Sequence, residues 1–186
     1  MASTKANVRI ELVKVHCLDT EDNLGGDEFY LVGGVIGGEH RYPVLTRPLD
    51  INEGQTVLFD QSEALMFQGE LDVTDTLHVG VAAYDEDFSK DWGGKYGAAL
   101  KQLTDAVNQV DPSSGNTGQR LIEAGEQTMT EIFSIIDPDD LLGRLTFSFP
   151  VSELHAGEKL WRVKGGTWMG RWEYEVTYRI TKIPVA

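Results

Sequence analysis

The sequence predicts a mainly β, antiparallel fold with a helical hairpin set into it. Three observations carry this. Apolar and polar residues alternate over short segments in the first and last parts of the chain, turn residues separate those segments, and one central stretch changes its apolar period from two to three and four. Strands joined by turns, with little helix between them, indicate a sandwich or barrel.

Val8, Ile10 and Leu12 alternate with Arg9 and Glu11, and Val13, Val15 and Cys17 then take the other parity, which predicts a strand with a bulge. Residues 29–36 form the next strand candidate. Gly33, Gly34, Gly37 and Gly38 lie in or just after it, where a bulge or close backbone packing is expected. Residues 42–45 and 56–59 are short strand candidates, and Leu77, Val79, Val81 and Ala83 alternate with His78, Gly80 and Ala82. The pattern then breaks. Tyr96, Leu100, Leu103, Val107 and Val110 follow steps of four and three, as do Ile122, Met129, Ile132, Phe133 and Ile136. Asp111-Pro112-Ser113-Ser114-Gly115-Asn116 separates them with turn chemistry. This is a helical hairpin over residues 88–136, and its apolar stripes read as packing faces. Strand periodicity returns with Leu145, Phe147 and Phe149. It is cleanest at Trp172, Tyr174, Val176, Tyr178 and Ile180, whose outward partners are Glu173, Glu175, Thr177 and Arg179. Residues 1–186 read as one domain carrying that insertion.

A net charge of −14 argues against a nucleic-acid partner, whose phosphates need Lys and Arg. It also disfavours unaided docking on an anionic membrane, although a bound cation reverses the sign locally. Cys17 is the only cysteine, so no disulfide forms within the chain and a buried, inert thiol is expected. The first residues lack the apolar stretch of a secretory signal, and no stretch is long enough to cross a bilayer. The default expectation is a cytoplasmic address, with export lacking a classical signal left open.

Acidic residues cluster where strands end: Leu18-Asp19-Thr20-Glu21-Asp22-Asn23-Leu24-Gly25-Gly26-Asp27-Glu28, Ala83-Tyr84-Asp85-Glu86-Asp87, and Asp137-Pro138-Asp139-Asp140. Taken singly, each is a polar turn or a helix stop. Gathered at one end of a sandwich they repel one another, and hard oxygen ligands then favour calcium. Asp85 and Asp87 both point inward only where loop geometry has replaced strand alternation.

The order of these motifs resembles that of a C2 domain, the calcium-dependent phospholipid-binding β-sandwich. Residues 22–31, Asp22-Asn23-Leu24-Gly25-Gly26-Asp27-Glu28-Phe29-Tyr30-Leu31, look like its first calcium loop. Thr46-Arg47-Pro48-Leu49-Asp50-Ile51-Asn52-Glu53, with Val57-Leu58-Phe59 after it, looks like the second loop and its strand. Val81-Ala82-Ala83-Tyr84-Asp85-Glu86-Asp87 looks like the entry to the third loop, and Asp139-Asp140-Leu141-Leu142-Gly143-Arg144-Leu145 like its exit. Residues 160–163 and 170–178 resemble the closing strands. The resemblance covers most of the chain outside the hairpin, and it implies an eight-stranded antiparallel C2-like β-sandwich. The strand beginning Gly170-Arg171-Trp172 comes last, which implies the permuted (type II-like) topology. Both termini then lie away from the metal, and the turn at 164–170 lies beside it.

The resemblance further implies calcium as the bound ion, with Asp19, Asp22, Asp27, Asp85, Asp87, Asp139 and Asp140 as its ligands. Two departures leave alternatives open. The first loop is one residue short, so Asp19, Glu21 or Asp22 supplies its first ligand. The hairpin splits the third loop, so Asp91 rivals Asp139 and Asp140. The latter pair is preferred because Leu141, Leu142, Gly143 and a strand follow it.

Enzyme signatures are thin. His16, His40, His78 and His155 are scattered without a paired zinc spacing, no serine sits in a nucleophile elbow, and Gly93-Gly94-Lys95-Tyr96 lacks the spacing of a phosphate loop. Trp161 and Trp172 fit core strand positions. Trp92, Trp168 and Met169 fit less easily and are assigned first to packing, then to an interface. The expected function is non-enzymatic. A calcium-binding module would use its calcium end to reach an anionic membrane surface or a protein partner. The alternative is a structural, self-assembling protein in which calcium staples the loops and the hairpin makes the contact of a homo-oligomer.

Overall fold

The computed structural model describes residues 4–20, 27–85, 91–133, 141–166 and 171–185. In chain order the elements are β1 (Lys5–Asp19), β2 (Asp27–Gly37), β3 (His40–Leu45), β4 (Leu49–Ile51), β5 (Thr56–Leu58), β6 (Leu65–Asp72), β7 (Thr76–Tyr84), α1 (Trp92–Asn108), α2 (Thr117–Phe133), β8 (Leu141–Pro150), β9 (Gly157–Gly166) and β10 (Arg171–Pro184). All pairings are antiparallel. The first sheet runs β9-β10-β1, with β5 and β6 both along the far side of β1. The second runs β8-β7-β2, with β3 and β4 both along β2. The two interrupted pairs each act as one strand, so the described strands fill eight positions in two sheets. This is the predicted sandwich.

β1 pairs with β10 from Ala6 opposite Pro184 to Asp19 opposite Glu173, and Val185 N donates to Lys5 O at 3.0 Å. Both termini therefore lie at one end. Asp19, Asp27, Tyr84 and Leu141, the strand ends that border the acidic segments, lie at the other end, as the permuted topology requires. The predicted bulge in β1 falls between Leu12 and Lys14, where the register against β10 shifts. It turns Val15 and Cys17 into the core on the parity opposite to Ile10.

Two cores result. Ile10, Val15, Phe29, Leu31, Phe67, Val79, Val81, Tyr174 and Val176 fill the space between the sheets. The second core lies on the outer face of the second sheet, where Tyr30, Val32, Ile36 and Ala82 meet Trp92, Leu103, Val107, Leu121, Ile122, Met129 and Phe133 of the hairpin. β2 is consequently buried on both faces, which explains its near-continuous apolar run. The hairpin's expected ends, residues 88 and 136, lie outside the described residues.

Glycine allows the close approach. A Cβ on Gly80 of β7 would lie 1.9 Å from the Gly118 carbonyl oxygen of α2, and one on Gly125 would lie 2.9 Å from Val32 Cγ2. Real Cβ atoms do not come so near, so α2 rests on bare backbone. The Asp91 carboxylate caps α1 by accepting from Gly94 N at 2.9 Å.

Two elements differ from expectation. Residues 46–53 are not one loop: β4 interrupts them, and the turn at that end is confined to residues 52–55, where Gly54 takes φ +77° and donates to Cys17 O at 2.9 Å. The strand β6 has no counterpart in the sequence pattern. Its register against β1 shifts between Ile10 and Glu11, opposite Phe67 and Leu65, so Met66 is an extra residue. Met66 and Phe67 are both buried, and strict alternation is lost.

Candidate functional site

Asp27 opens β2 on the same parity as Phe29, facing the space between the sheets, and is 1% exposed. The Tyr174 hydroxyl of β10 donates to its Oδ2, tying the two sheets together at the loop end. Asp85 follows the last residue of β7 on the parity of Ala83 and is 3% exposed. Its Oδ1 accepts from Glu28 N at 2.7 Å. These carboxylates therefore close the top of the main core, a position where an apolar side chain is the rule and a charge is costly without compensation.

Beneath them Cys17 is fully buried, and its thiol is pushed up to about 12, first by burial and next by the charge of Asp27, while a backbone hydrogen bond from Asp19 works the other way. The expected burial of this thiol is thus observed.

Asp19 is exposed at the end of β1, opposite Glu173. Asp91 is committed to the start of α1. Asp22, Asp87, Asp139 and Asp140 lie outside the described residues, as do Trp168 and Met169. Among the described residues, no group of three or more His, Cys, Asp and Glu side chains is arranged to hold a metal ion. The described part of the site is thus two buried carboxylates and their supports.

Those supports were not legible as such. Tyr174 stood out only as a member of an apolar stripe, because its hydroxyl partner is 147 positions away. His16 Nδ1 lies 2.8 Å from Gln55 O and 2.9 Å from Thr56 Oγ1, anchoring the turn at 52–55 to β1. Glu126 of α2 accepts from the Tyr84 hydroxyl at 2.9 Å and from Arg144 Nη2 at 2.8 Å, joining the two strands that bracket the hairpin. Tyr96 of α1 donates to Leu45 O at 2.8 Å, and the Arg47 guanidinium lies 4.0 Å above its ring. Burial pushes the Tyr96 phenol up to about 12. Trp92 is buried between Phe133 and Tyr30, so packing is its role.

No family model matches the chain, and no curated protein matches it. Among solved structures it is similar to human GIVD cytosolic phospholipase A2, at 13% identity and a TM-score of 0.42, covering 100% of this chain and 18% of that one. It is also similar to the C2A domain of plant extended synaptotagmin 1, at 10% identity and a TM-score of 0.36, covering 100% of this chain and 98% of that one. Among the described residues no helix is long and apolar enough to cross a membrane.

Proposed function

We propose that the chain is a non-enzymatic, calcium-binding C2-like module, which recruits itself to an anionic membrane or partner surface when calcium joins its acidic loops. The observation that carries this is the burial of Asp27 and Asp85 at the loop end, on inward-facing positions of neighbouring strands. Calcium takes six to eight oxygens at about 2.3–2.6 Å. Asp27, Asp85 and the adjoining segments with Asp22, Asp87, Asp139 and Asp140 would supply carboxylates from separate loops. Binding would add positive charge where the chain is most acidic, turning a repelling surface into an attracting one.

The assembly reading draws less support. Trp92, Leu103, Val107, Leu121, Ile122 and Met129 are turned onto the chain's own sheet, so the apolar stripes of the hairpin are already used.

Calcium added to chelator-stripped protein should raise the melting temperature. A ligand binding only the folded chain adds about 2.7 kcal/mol at a hundredfold excess over Kd. Asp85→Asn keeps an oxygen for Glu28 N and removes a charge, so the variant should fold and show a much smaller shift. A melting temperature unmoved by millimolar calcium in the wild type would sink the proposal. Sedimentation with anionic liposomes, with and without calcium, then separates recruitment from calcium-dependent assembly.

A further inference from the structure

On one side of the sandwich β8 and β9 are both edge strands, and towards the terminal end the two sheets part. On β8 the core parity passes from half-buried Leu145 and Phe147 to Phe149, which is 47% exposed. On β9 the core parity holds Trp161 and Val163, but its next position is Lys159, opposite Tyr178. Phe147, Phe149, Leu154, Tyr178 and Ile180 wall a cleft of about 260 Å³ between the sheets. The Phe147 ring lies 5.6 Å from Phe149 and 6.5 Å from Tyr178, nearly parallel to the latter at 17°.

Charge at the mouth favours an anion in a chain that is otherwise strongly acidic. Lys159, His155 and Glu153 line it, and Lys159 has no ion-pair partner among the described residues. The Lys182 ammonium donates to the carbonyls of Val151 at 2.6 Å, Ser152 at 3.2 Å and Leu154 at 3.2 Å, holding the segment that carries Glu153, Leu154 and His155. Lys159 is thus the one ammonium among the lining residues, and it is not committed to an ion pair among the described residues.

We propose that this cleft binds a single-chain carboxylate amphiphile, its apolar chain between the aromatic walls and its carboxylate on Lys159. The volume falls below the roughly 300–1,000 Å³ of sites for drug-sized ligands, so a medium-length chain is the fitting class. The site is distinct from buried Asp27 and Asp85, which lie at the opposite end of the strands. An inward-pointing charge on an edge strand also discourages strand-to-strand association. If that were the whole role of Lys159, ligand binding would not depend on it.

The test is calorimetric titration of decanoate, below its micelle concentration, into the full chain, with amide chemical shifts mapping the site. Saturable binding is expected, with shifts centred on Phe147, Phe149, Lys159 and Tyr178. Lys159→Glu should weaken it about tenfold or more, the scale of a charge-assisted hydrogen bond. Phe149→Ser, at a half-exposed position that leaves folding intact by circular dichroism, should weaken it too. Decanol should bind at least about tenfold less tightly than decanoate, and Asp85→Asn should change nothing. Absence of saturation, unchanged affinity in Lys159→Glu, or shifts clustered elsewhere would each overturn the proposal.

Discussion

The two sheets share one core, but their outer faces are built on opposite principles. The first sheet turns charged residues to solvent. Arg162 pairs with Glu175, Arg179 with Glu158 at 2.7 Å, and Lys5 with Glu70 at 2.8 Å. The second sheet turns Tyr30, Val32, Ile36 and bare glycine backbone outward, and the hairpin covers them. The strand period is two in both sheets. What differs is whether the second parity meets water or a helix, and this decides how much a residue on it contributes.

The largest consequence concerns the hairpin itself. Replacing residues 92–133 with a short Gly-Ser linker costs little in loop entropy, because closure cost grows slowly with length. It also uncovers one side of β2 and β7. The expected outcome is aggregation in light scattering and dye binding to exposed apolar surface. Adding Val32→Thr and Ile36→Thr to the deletion should restore solubility. A deletion chain that stays monomeric with native β-type circular dichroism and no dye binding would mean the second core is dispensable.

The next largest effect sharpens the contrast at a single position. In Gly80→Val the new Cβ would start 1.9 Å from Gly118 O and 2.8 Å from Leu121 Cβ, and backbone cannot yield as a flexible side chain does. Urea denaturation should show a loss of about 3 kcal/mol or more, the upper range for overpacking. Gln68→Val, on the outer face of the first sheet, should stay within about 0.5 kcal/mol of wild type. Similar losses at the two positions would contradict the helix-on-backbone contact.

The contrast also explains what the sequence could and could not reveal. Strands of the first sheet wear one polar face, so β1 and β10 were legible, down to the bulge after Leu12. The hairpin was legible because its stripes keep a helical period. β6 was hidden because Met66 and Phe67 are both buried by a register shift, and β4 because its three residues follow the break at Thr46, Arg47 and Pro48. At the loop end, the acidic residue types and their order were visible. Burial of Asp27 and Asp85 was not, because it depends on Tyr174 and Glu28 N reaching them across the fold.

A smaller effect tests the second sheet's face at His78, on β7 beside Ser148 of β8. Its Nδ1 lies 2.8 Å from Ser148 Oγ, and burial lowers its pKa below the ordinary 6.5. The unfolded chain therefore takes up the proton first. His78's contribution to stability is complete above about 6.5 and is lost as pH falls from there through the folded value. His78→Gln should flatten the fall in urea midpoint between about pH 7 and pH 5 relative to wild type. An unchanged slope would mean that the imidazole is not desolvated by the fold.

The smallest effect belongs on the open face of the first sheet. Arg162 Nε donates to Glu175 Oε1 at 3.1 Å across the β9–β10 pair, and Glu173 Oε1 lies 3.6 Å from the same Nε. The arginine side chain is 54% exposed, so water screens both partners and much of the attraction is offset by the entropy of holding two long side chains. Arg162→Ala should therefore cost no more than about 1 kcal/mol, and the difference from wild type should shrink as salt is raised. Guanidinium chloride is itself a salt and would mask this, so urea at low and high ionic strength is the right measurement. A loss comparable to that of Gly80→Val would show that the ion-paired face holds the sandwich as firmly as the covered one, and the asymmetry between the sheets would fail.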